Sequence, residues 1–594
     1  MPPLYDLDDF DICLSDPGGT YCVVDLNLYS NQHSDLLQYI HEYSADKYIH
    51  YNYTQIHRGV CVSTKCKHLR NMGDLNTTLE ACLNDTMWRE YRLQAKLNKV
   101  HYCRRDDDST ALDSSDLGVI IVYMILIALN VIASLYDILF CNQNSKSGNP
   151  YILSFSLKRN WAKLIAPSGD GPDSRYERLR SFQGLRALTM ICIIFSHSAV
   201  VMAITYTRNP LYIEKALQDI SKHVLFNGSL VTHTFFVMSS FLLAYNFEIN
   251  AEKTKVTWWQ FPRAVILRFL RITPTYALVL ATVSTVIRHI GNGPLWDLIV
   301  VKQSHDCRNN WWAHILYVQN YVYYDGFCMQ ESWYLAADMQ LFIVGVLTCV
   351  LLRDSRSKKI GLTILFLISL IITSASTYFL HLDPIVIQSP ETLRTMYTEN
   401  RTFRHMYIAG HTNLSTYVLG LAGGFLAYHW QTEAKDMTRF KKYRWLVWAG
   451  LPLGVMVIMS GVLFYSSTDT TPVYFKVAYA MFSKPFFQLL VVQLILSCIC
   501  KIESVYRGIV EWQGFSWAGK LTYGAYLLHT TYLRGFIGSQ PLPIHMSDYN
   551  VLILTAATVL LSYLSAAALW LCVEAPAAAL TKTLFMTTKR VTRQ

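Results

Sequence analysis

The sequence predicts an all-α polytopic membrane protein with a small disulfide-rich helical domain at its N-terminus. Hydrophobic residues make up 52% of the 594-residue chain and charged residues only 16%, whereas a soluble protein carries about 25% charged residues. Several apolar runs approach or exceed the roughly 20 residues that a helix needs to cross a bilayer. Six of the cysteines fall in the more polar first part of the chain. These features together predict a bundle of membrane helices with one appended domain.

Residues 1–117 are predicted to form a helical domain in the lumen or outside the cell. An even number of cysteines in a short polar segment suggests three disulfides, whose pairing the sequence leaves open. These cysteines are Cys13, Cys22, Cys61, Cys66, Cys82 and Cys103. N-glycosylation sequons at Asn52, Asn76 and Asn84 favour the same compartment. Residues 1–10 lack the apolar core of a secretory signal. We expect the true start of the protein to lie upstream; the alternative is that the first span carries the domain across the membrane.

The first membrane span is predicted at 118–140, and ten more spans follow it in the chain. Acidic residues precede this span and basic residues follow it, which places the N-terminal domain outside and the linker 141–180 in the cytosol. The linker shows no pattern of a packed core. The other spans are predicted near 184–206, 230–247, 264–288, 333–352, 360–379, 411–429, 444–465, 476–500, 521–538 and 551–573. This ten-helix domain covers 181–577, and a basic cytosolic tail, 578–594, ends the chain.

The composition of the loops supports this topology. Predicted cytosolic loops hold clusters of lysine and arginine, so the net charge of +10 follows the positive-inside pattern and does not indicate a nucleic-acid site. Predicted outer loops hold a sequon at Asn400 and the pair Cys307 and Cys328, which we expect to form a disulfide. The sequence contains no P-loop, dinucleotide fingerprint or zinc-ligand spacing. We therefore expect no nucleic-acid partner, no metal and no bound cofactor.

Two ionisable residues interrupt the apolar stretch that begins the second span. Arg186 and His197 are eleven residues apart, close to three helical turns, so they share one helix face about 16 Å apart. Ionisable side chains at such depth are costly and usually belong to functional sites that face the bundle interior. Two other interpretations stay open: Arg186 extends to the lipid headgroups, or His197 is a hydrogen-bonded structural residue.

The same spacing, Gly184-Leu-Arg186 followed by ten residues and His197, resembles the signature of the acyltransferase 3 family of membrane enzymes. The rest of the chain resembles the animal branch of that family, the nose-resistant-to-fluoxetine-like proteins, including their cysteine-rich N-terminal domain. The resemblance implies transfer of an acyl group from cytosolic acyl-coenzyme A to an unknown hydroxyl-bearing acceptor at the membrane or luminal face. His197 would be the general base, since an imidazole titrates near working pH, and Arg186 would hold donor phosphates.

Two further blocks resemble the family and supply candidate binding residues. Arg268 and Arg271 share one helix face, where arginine forks suit the phosphates of acyl-coenzyme A; ordinary positive-inside anchoring is the alternative. Asp338 and Gln340 stand at the acidic and amide positions of the second block. A carboxylate inside a span needs a partner, so Asp338 would either orient His197 or neutralise a cation.

The remaining blocks contribute three more substrate-binding candidates: Tyr526, His529 and His233. Tyr526 and His529 lie on one stripe of their helix and would line a cavity, although a structural histidine is the alternative for His529. His233 and Ser240 stand where the family usually has Asp and Gly, and a protonated imidazole cannot stabilise a cation as a carboxylate does. We expect Glu574-Ala-Pro576 to end the last span, because proline cannot continue a helix.

These residues are compatible with functions of different kinds. The first is a membrane-bound acyltransferase that uses His197, Arg186 and Asp338 as catalytic residues. The second is a non-catalytic transporter, or a protein that handles lipids or drug-like molecules on the same scaffold, which His233 favours. A third hypothesis is a receptor whose N-terminal domain binds a partner. All three place a multi-pass protein in an endomembrane or the plasma membrane, in contact with membrane lipids.

Overall fold

The structure is a computed structural model of the full chain. It describes eight stretches of the chain, which are 1–69, 74–105, 111–141, 148–167, 174–322, 328–433, 437–465 and 471–591. All predicted site residues fall inside these stretches. Residues 592–594, the end of the predicted cytosolic tail, lie outside them.

The N-terminal domain contains helices, as predicted, and also a four-stranded sheet, which the prediction of a small helical domain missed. Its strands are β1 Tyr5–Leu7, β2 Thr20–Tyr29, β3 Gln55–Cys61 and β4 Gln94–Arg105, in the order β1-β3-β2-β4. Its helices are α1 Phe10–Ser15, α2 Asp35–Ser44, α3 Val62–Lys65 and α4 Leu75–Tyr91. The central strand β2 is buried on both faces over most of its length. Such a strand lacks the alternation of apolar and polar residues that identifies a half-buried strand in a sequence.

Three disulfides hold the N-terminal domain together, as the cysteine count predicts. They pair Cys13 with Cys61, Cys22 with Cys103, and Cys66 with Cys82. The sheet determines one of these pairs directly, because Cys22 of β2 lies opposite Cys103 of β4 in the strand register. Each bond closes a loop of the chain and thereby restricts the unfolded state.

A buried carboxylate of the sheet gives the N-terminal domain a pH-dependent contribution to stability. Asp25 accepts hydrogen bonds from His57 Nδ1 at 2.5 Å and from His101 Nε2 at 2.9 Å. Burial alone would raise the pKa of Asp25, but these hydrogen bonds outweigh it and hold the pKa well below its usual value. A lowered native pKa stabilises the fold above the unfolded-state pKa of about 4, and this contribution is lost as the pH falls towards the native value.

We expect Asp25→Asn to lower the free energy of unfolding at pH 7 by about 1–3 kcal/mol, the value of hydrogen bonds to a charged group. Thermal unfolding of the detergent-solubilised protein at pH 7 and at about pH 3, which lies between the native and unfolded-state pKa values of Asp25, measures the effect. The difference between variant and wild type should narrow at the lower pH. A difference that is equal at both values would contradict this account of Asp25.

The membrane region consists of long helices joined by short helical turns, as predicted. Its α-helices are α5 Ser114–Phe140, α6 Pro150–Leu153, α7 Leu157–Ile165, α8 Ser181–Ile204, α9 Pro210–Gln218, α10 His223–Phe226, α11 Ser229–Thr232, α12 Thr234–Lys253, α13 Gln260–Ser284, α14 Lys302–Ile315, α15 Trp333–Leu351, α16 Ser355–Phe379, α17 Pro390–Arg394, α18 Leu414–Thr432, α19 Arg444–Met459, α20 Val473–Ile499, α21 Val505–Val510, α22 Phe515–Gly538, α23 Asp548–Leu569 and α24 Ala575–Val591. The fold class is confirmed.

A long helix occupies each of the eleven predicted spans. Within the described stretches, nine helices are long and apolar enough to cross a membrane. The other two are α18 and α22, in which about half of the residues are buried within the bundle. Helix α22 carries Lys520, His529 and Arg534 along one span. Polar residues in a buried membrane helix indicate a site or a packing contact in the bundle interior.

The first span, α5, has a mostly exposed surface and is attached to the bundle by polar residues near its two ends. Near its start, Asp116 accepts hydrogen bonds from Arg288 at 2.7 Å and Arg308 at 2.6 Å. Near its end, Asp137 accepts one from Arg159 of α7 at 2.8 Å. The sequence showed no pattern of a packed core in the linker that holds α7. In its described part this linker nevertheless packs against α5, because the buried carboxylate of Asp137 requires a charged partner.

The last span also differs from the prediction. A π-helical turn, Trp570–Glu574, follows α23 and leads directly into α24. Pro576 is the second residue of α24. Proline is tolerated in the first turn of a helix, where its missing N–H would have no partner in that helix. Pro576 therefore begins a new helical segment and does not end the span.

The N-terminal domain packs on one end of the bundle through a buried carboxylate. Glu214, at 1% exposure, accepts hydrogen bonds from Tyr43 Oη at 2.6 Å and from the Tyr51 amide at 3.0 Å. Nearby, the amide of Asn52 donates to Glu391 at 3.0 Å. The fourth disulfide, predicted between Cys307 and Cys328, is present. We call this end of the bundle the domain end.

Candidate functional site

A cavity of about 150 Å³ lies towards the domain end of the bundle. It is lined by α8, α22, the short helices α10 and α11 with the residues next to them, the segment that leads into α15, Ile299, and residues of the segment 386–407. Most of the lining surface is apolar, and the acidic and basic side chains among the lining residues are His197, Glu331 and Arg534. We call it the His197 cavity. A mostly apolar cavity with a few convergent polar groups is the usual form of a ligand site.

His197 faces this cavity and is held from behind by a second histidine. His197 Nδ1 lies 2.8 Å from Nε2 of His529, and the two rings are stacked with their centroids 5.1 Å apart. His529 Nδ1 lies 2.7 Å from the carbonyl oxygen of Tyr526. A carbonyl only accepts, so His529 Nδ1 carries the proton and neutral His529 presents Nε2 as an acceptor. His197 must then donate from Nδ1, which leaves its Nε2 unprotonated and free to act as a base.

The prediction that His529 binds substrate therefore needs revision. His529 is fully buried and does not line the His197 cavity. It acts on His197, because its own tautomer is determined by the Tyr526 carbonyl. In catalytic triads, too, a third group fixes the tautomer of the catalytic histidine through a hydrogen bond. Sequence reasoning placed His197 and His529 in separate motifs and could not pair them.

Two ionisable residues of the cavity were not among the predicted site residues. Glu331, at 6% exposure, accepts a hydrogen bond from Thr530 at 2.6 Å, while its Oε2 is buried without a partner. Arg534 also lines the cavity and makes no hydrogen bond or ion pair with any residue that the structure describes. An available signal was the position of Arg534 inside the predicted span 521–538, where a charge is rarely without a role.

Asp338 and Arg268 form a buried ion pair in the bundle interior. Arg268 Nη2 donates to Asp338 Oδ2 and, at 3.1 Å, to the hydroxyl of Ser239. The guanidinium also lies 4.2 Å from the ring centroid of Phe342, a cation–π contact. Of the two predicted roles of Asp338, the structure therefore shows the neutralisation of a cation. Arg268 is committed to this pair and is not a free phosphate ligand.

Arg186 and Arg271 lie away from the His197 cavity. Arg186 is near the start of α8, at the opposite end from the N-terminal domain, and neither arginine makes a hydrogen bond or ion pair with the described residues. Both interact electrostatically with each other and with Glu574. The side chain of Arg271 is exposed. The two arginines thus form a separate basic site about three helical turns along α8 from His197.

Two other predicted binding residues have structural contacts. Gln340 donates through Nε2 to the carbonyl of Tyr317 and to Oδ1 of Asn320, each at 2.8 Å. Tyr526 is buried and donates to the backbone carbonyl of Glu331. Neither side chain lines the His197 cavity. Both instead connect α15 or its leading segment to neighbouring parts of the bundle.

His233 lines a smaller cavity of about 30 Å³, adjacent to the first. Its Nε2 lies 2.9 Å from Asn413 Oδ1, and Lys484 Nζ lies 3.3 Å from the same oxygen. A carboxylate at position 233, as in the family pattern, would stand near this buried ammonium. The second departure is accommodated by packing: a Cβ on Gly420 of α18 would lie 1.9 Å from Ser240 Oγ. Glycine at 420 lets the two helices approach around the serine.

Among the described residues, no three His, Cys, Asp or Glu side chains are grouped so as to hold a metal ion. The predicted glycosylation sites Asn52, Asn76, Asn84 and Asn400 stay predictions. Of these asparagines, Asn76 is exposed and the others are half-buried.

Comparison with known proteins gives one family match and two nematode relatives. The model of an acyltransferase domain matches residues 179–571. The Caenorhabditis elegans protein "Nose resistant to fluoxetine protein 6" is 25% identical over 522 residues, or 82% of this chain and 62% of the relative. The "Regulator of hypoxia-inducible factor 1" of the same organism is 23% identical over 371 residues, or 60% of this chain and 70% of the relative. No solved structure matches the chain.

The match covers the part of the chain that forms the site. It begins just before α8 and extends through α23, so it includes His197, His529 and every residue that lines the His197 cavity. The alignment with the first relative is longer than the family match, although the chain spans only 62% of that relative's length. The chain therefore belongs to the acyltransferase 3 family.

Proposed function

We propose that this protein is a membrane acyltransferase that moves an acyl group from acyl-coenzyme A to a hydroxyl acceptor bound in the His197 cavity. The observation that carries the proposal is the orientation of His197. Its Nδ1 is engaged by His529 at 2.8 Å, and the ring lines the cavity. A neutral imidazole with one nitrogen anchored and the other free has the form of a general base.

The proposed reaction needs only the residues of the cavity and the two substrates. The acceptor hydroxyl gives its proton to Nε2 of His197 while its oxygen attacks the thioester carbonyl carbon. The carbon–sulfur bond then breaks, and the coenzyme A sulfur leaves as a thiolate that takes the proton back from His197. An acyl ester and free coenzyme A result, and His197 returns to its neutral form.

We further propose that acyl-coenzyme A enters from the side of Arg186 and Arg271. Neither guanidinium makes an ion pair with the described residues, and arginine forks bind phosphate oxygens in a bidentate manner. These arginines replace Arg268 in the predicted donor site, because Arg268 is paired with Asp338. The roughly 16 Å between Arg186 and His197 along α8 would be crossed by the extended arm of the coenzyme.

The positions of the disulfides support one orientation of the protein in the membrane. All four bonds lie in the N-terminal domain or in the segment that carries Cys307 and Cys328. Disulfides persist in oxidising compartments. This supports a luminal or extracellular N-terminal domain, with the donor arginines towards the cytosol. The C-terminus is proposed to be cytosolic.

A non-catalytic transporter or lipid-handling protein is the second candidate. The observation that favours this candidate is His233, which stands where the family usually has an acidic residue. Without that carboxylate, Lys484 has only the neutral acceptors Asn413 and Met406 within hydrogen-bond reach among the described residues. Purified protein incubated with acyl-coenzyme A separates the two functions. The enzyme releases free thiol in proportion to acceptor; a binding protein retains ligand without release.

Substitution of His529 tests its role as the residue that positions His197. Leucine at 529 removes the acceptor for His197 Nδ1, so we expect a loss of about 10–100-fold in the rate of thiol release. Glutamine retains an acceptor oxygen and should restore much of the activity. The pH–rate profile should change shape in His529→Leu and not in His529→Gln. Equal losses in both variants with an unchanged profile would indicate a purely structural role.

A further inference from the structure

We propose that the His197 cavity recognises an acyl acceptor that carries an anionic group, a phosphate or a carboxylate, and that Arg534 is the residue that binds it. The description of this ligand as an acceptor rests on the proposed function. The presence of an anion site does not, because it follows from the surroundings of Arg534. Nothing in the family match or in the names of the relatives assigns this residue.

Arg534 lies on α22 five residues after His529, in a wall of the cavity. Glu331 and Asp306 are the acidic residues that act on it electrostatically. No carboxylate oxygen among the described residues lies within ion-pair distance of its guanidinium. A cation left unpaired within a membrane bundle is costly. The five N–H donors of arginine are thus available to a ligand in the cavity.

Glu331 is the acidic residue that lines the cavity with Arg534, and one of its oxygens is engaged by another residue. Its Oε1 accepts the hydroxyl of Thr530 at 2.6 Å, and its Oε2 is buried without a hydrogen-bond donor. Glu331 and Arg534 both line the cavity without contacting each other. A ligand between them would offer an anion to Arg534 and a hydroxyl hydrogen to Glu331. This pattern excludes simple alkanols and sterols, which carry no charge.

The shape of the cavity limits the size of the polar part of the ligand. About 150 Å³ accommodates only a small group, and much of the remaining wall is apolar, with Val200, Ile204 and Phe226 among its side chains. A small anion that also bears hydroxyl groups fits these surroundings. Glycerol phosphate has this chemistry, either as a soluble molecule or as the headgroup of phosphatidylglycerol.

Binding of two probes to the purified full-length protein tests the assignment. The soluble probe is radiolabelled glycerol 3-phosphate, with glycerol as the uncharged comparison. Phosphatidylglycerol nanodiscs, compared with phosphatidylcholine nanodiscs, test whether the lipid form competes for the same site. Arg534→Gln should bind glycerol 3-phosphate about 10–100-fold more weakly, the value of one or two charge-assisted hydrogen bonds. Arg534→Lys should retain part of the affinity.

Arg208→Gln is the matched control, since Arg208 is an exposed arginine that does not line the cavity. It should bind within about twofold of wild type, the range of an ordinary surface substitution. Displacement of the bound soluble probe by phosphatidylglycerol nanodiscs would identify a lipid headgroup as the source of the anion. Binding of the soluble probe that phosphatidylglycerol does not displace would identify a free phosphate. Failure of both probes to bind wild type, or unchanged binding by Arg534→Gln, would overturn the assignment.

An activity measurement separates this inference from the proposed function. His197→Ala should still bind glycerol 3-phosphate, because Arg534 is unchanged, while its rate of thiol release from acyl-coenzyme A falls by about 10²–10⁴-fold. If wild type shows no transfer activity but binds the anion in a manner that depends on Arg534, the anion site is supported and the proposed acyltransferase function is rejected. If wild type and Arg534→Gln both transfer the acyl group to glycerol 3-phosphate with the same KM, the acyltransferase function is supported and the role of Arg534 in anion binding is rejected.

Discussion

His197→Ala is expected to lower the rate of acyl transfer by about 10²–10⁴-fold, the usual contribution of a general base. The cavity-facing nitrogen of His197 is the one imidazole nitrogen of the His197–His529 pair that has no protein partner among the described residues. Its loss removes the group that takes the acceptor proton. The helix itself should tolerate the change, since alanine is the best helix former.

The measurement is the initial rate of thiol release from acyl-coenzyme A by purified protein in nanodiscs. His545→Ala provides the control, because His545 is exposed in a loop and does not line the cavity. Its rate should match wild type. A His197→Ala protein that is fully active, with unchanged dependence on acceptor, would remove His197 from the mechanism and favour the transporter hypothesis.

Breaking the Arg268–Asp338 pair is expected to destabilise the protein by about 3–5 kcal/mol, because either single substitution leaves an unpaired charge in the bundle interior. The side chains of the two residues are 23% and 8% exposed, respectively. Arg268→Gln would leave the Asp338 carboxylate without its cation, and Asp338→Asn would leave the guanidinium uncompensated. Each should lower the midpoint of thermal unfolding strongly.

A double-mutant cycle distinguishes this pairing from a general sensitivity of the site. The protein with both Arg268→Gln and Asp338→Asn carries no buried charge at this position and should be clearly more stable than either single variant. Thermal unfolding of the four proteins in one detergent provides the comparison. Additive losses in the double variant would show that the two side chains contribute independently, and the buried pair would have no measurable coupling.

The membrane helices were predictable because each depends on a local run of apolar residues. The polar residues within α8 and α15 were visible in the same way, since any charge in such a run is costly. Their partners were not visible. His529 is 332 positions from His197, and Asp338 is 70 from Arg268. Helical spacing indicates which face a residue occupies and gives no information on which distant helix packs against that face.

In the N-terminal domain, too, the sequence identified the reactive residues but not their partners. Counting cysteines predicted three disulfides, because an odd cysteine or a reduced cluster would be unusual in a polar outer segment. The pairing followed from the sheet, in which Cys22 and Cys103 are register partners. The sheet itself was missed, because β2 is buried on both faces and therefore shows no alternation.

Local composition was sufficient for the span positions, the cysteines that are oxidised and the choice of His197 as a candidate residue, since each rests on chemistry within about one helix of sequence. Packing between distant helices decided which arginine is paired, which histidine faces the cavity and that Arg534 and Glu331 line the same cavity. Buried charges and hydrogen-bond donors take their partners from whatever the fold brings within about 3 Å. That choice is made by the tertiary structure as a whole.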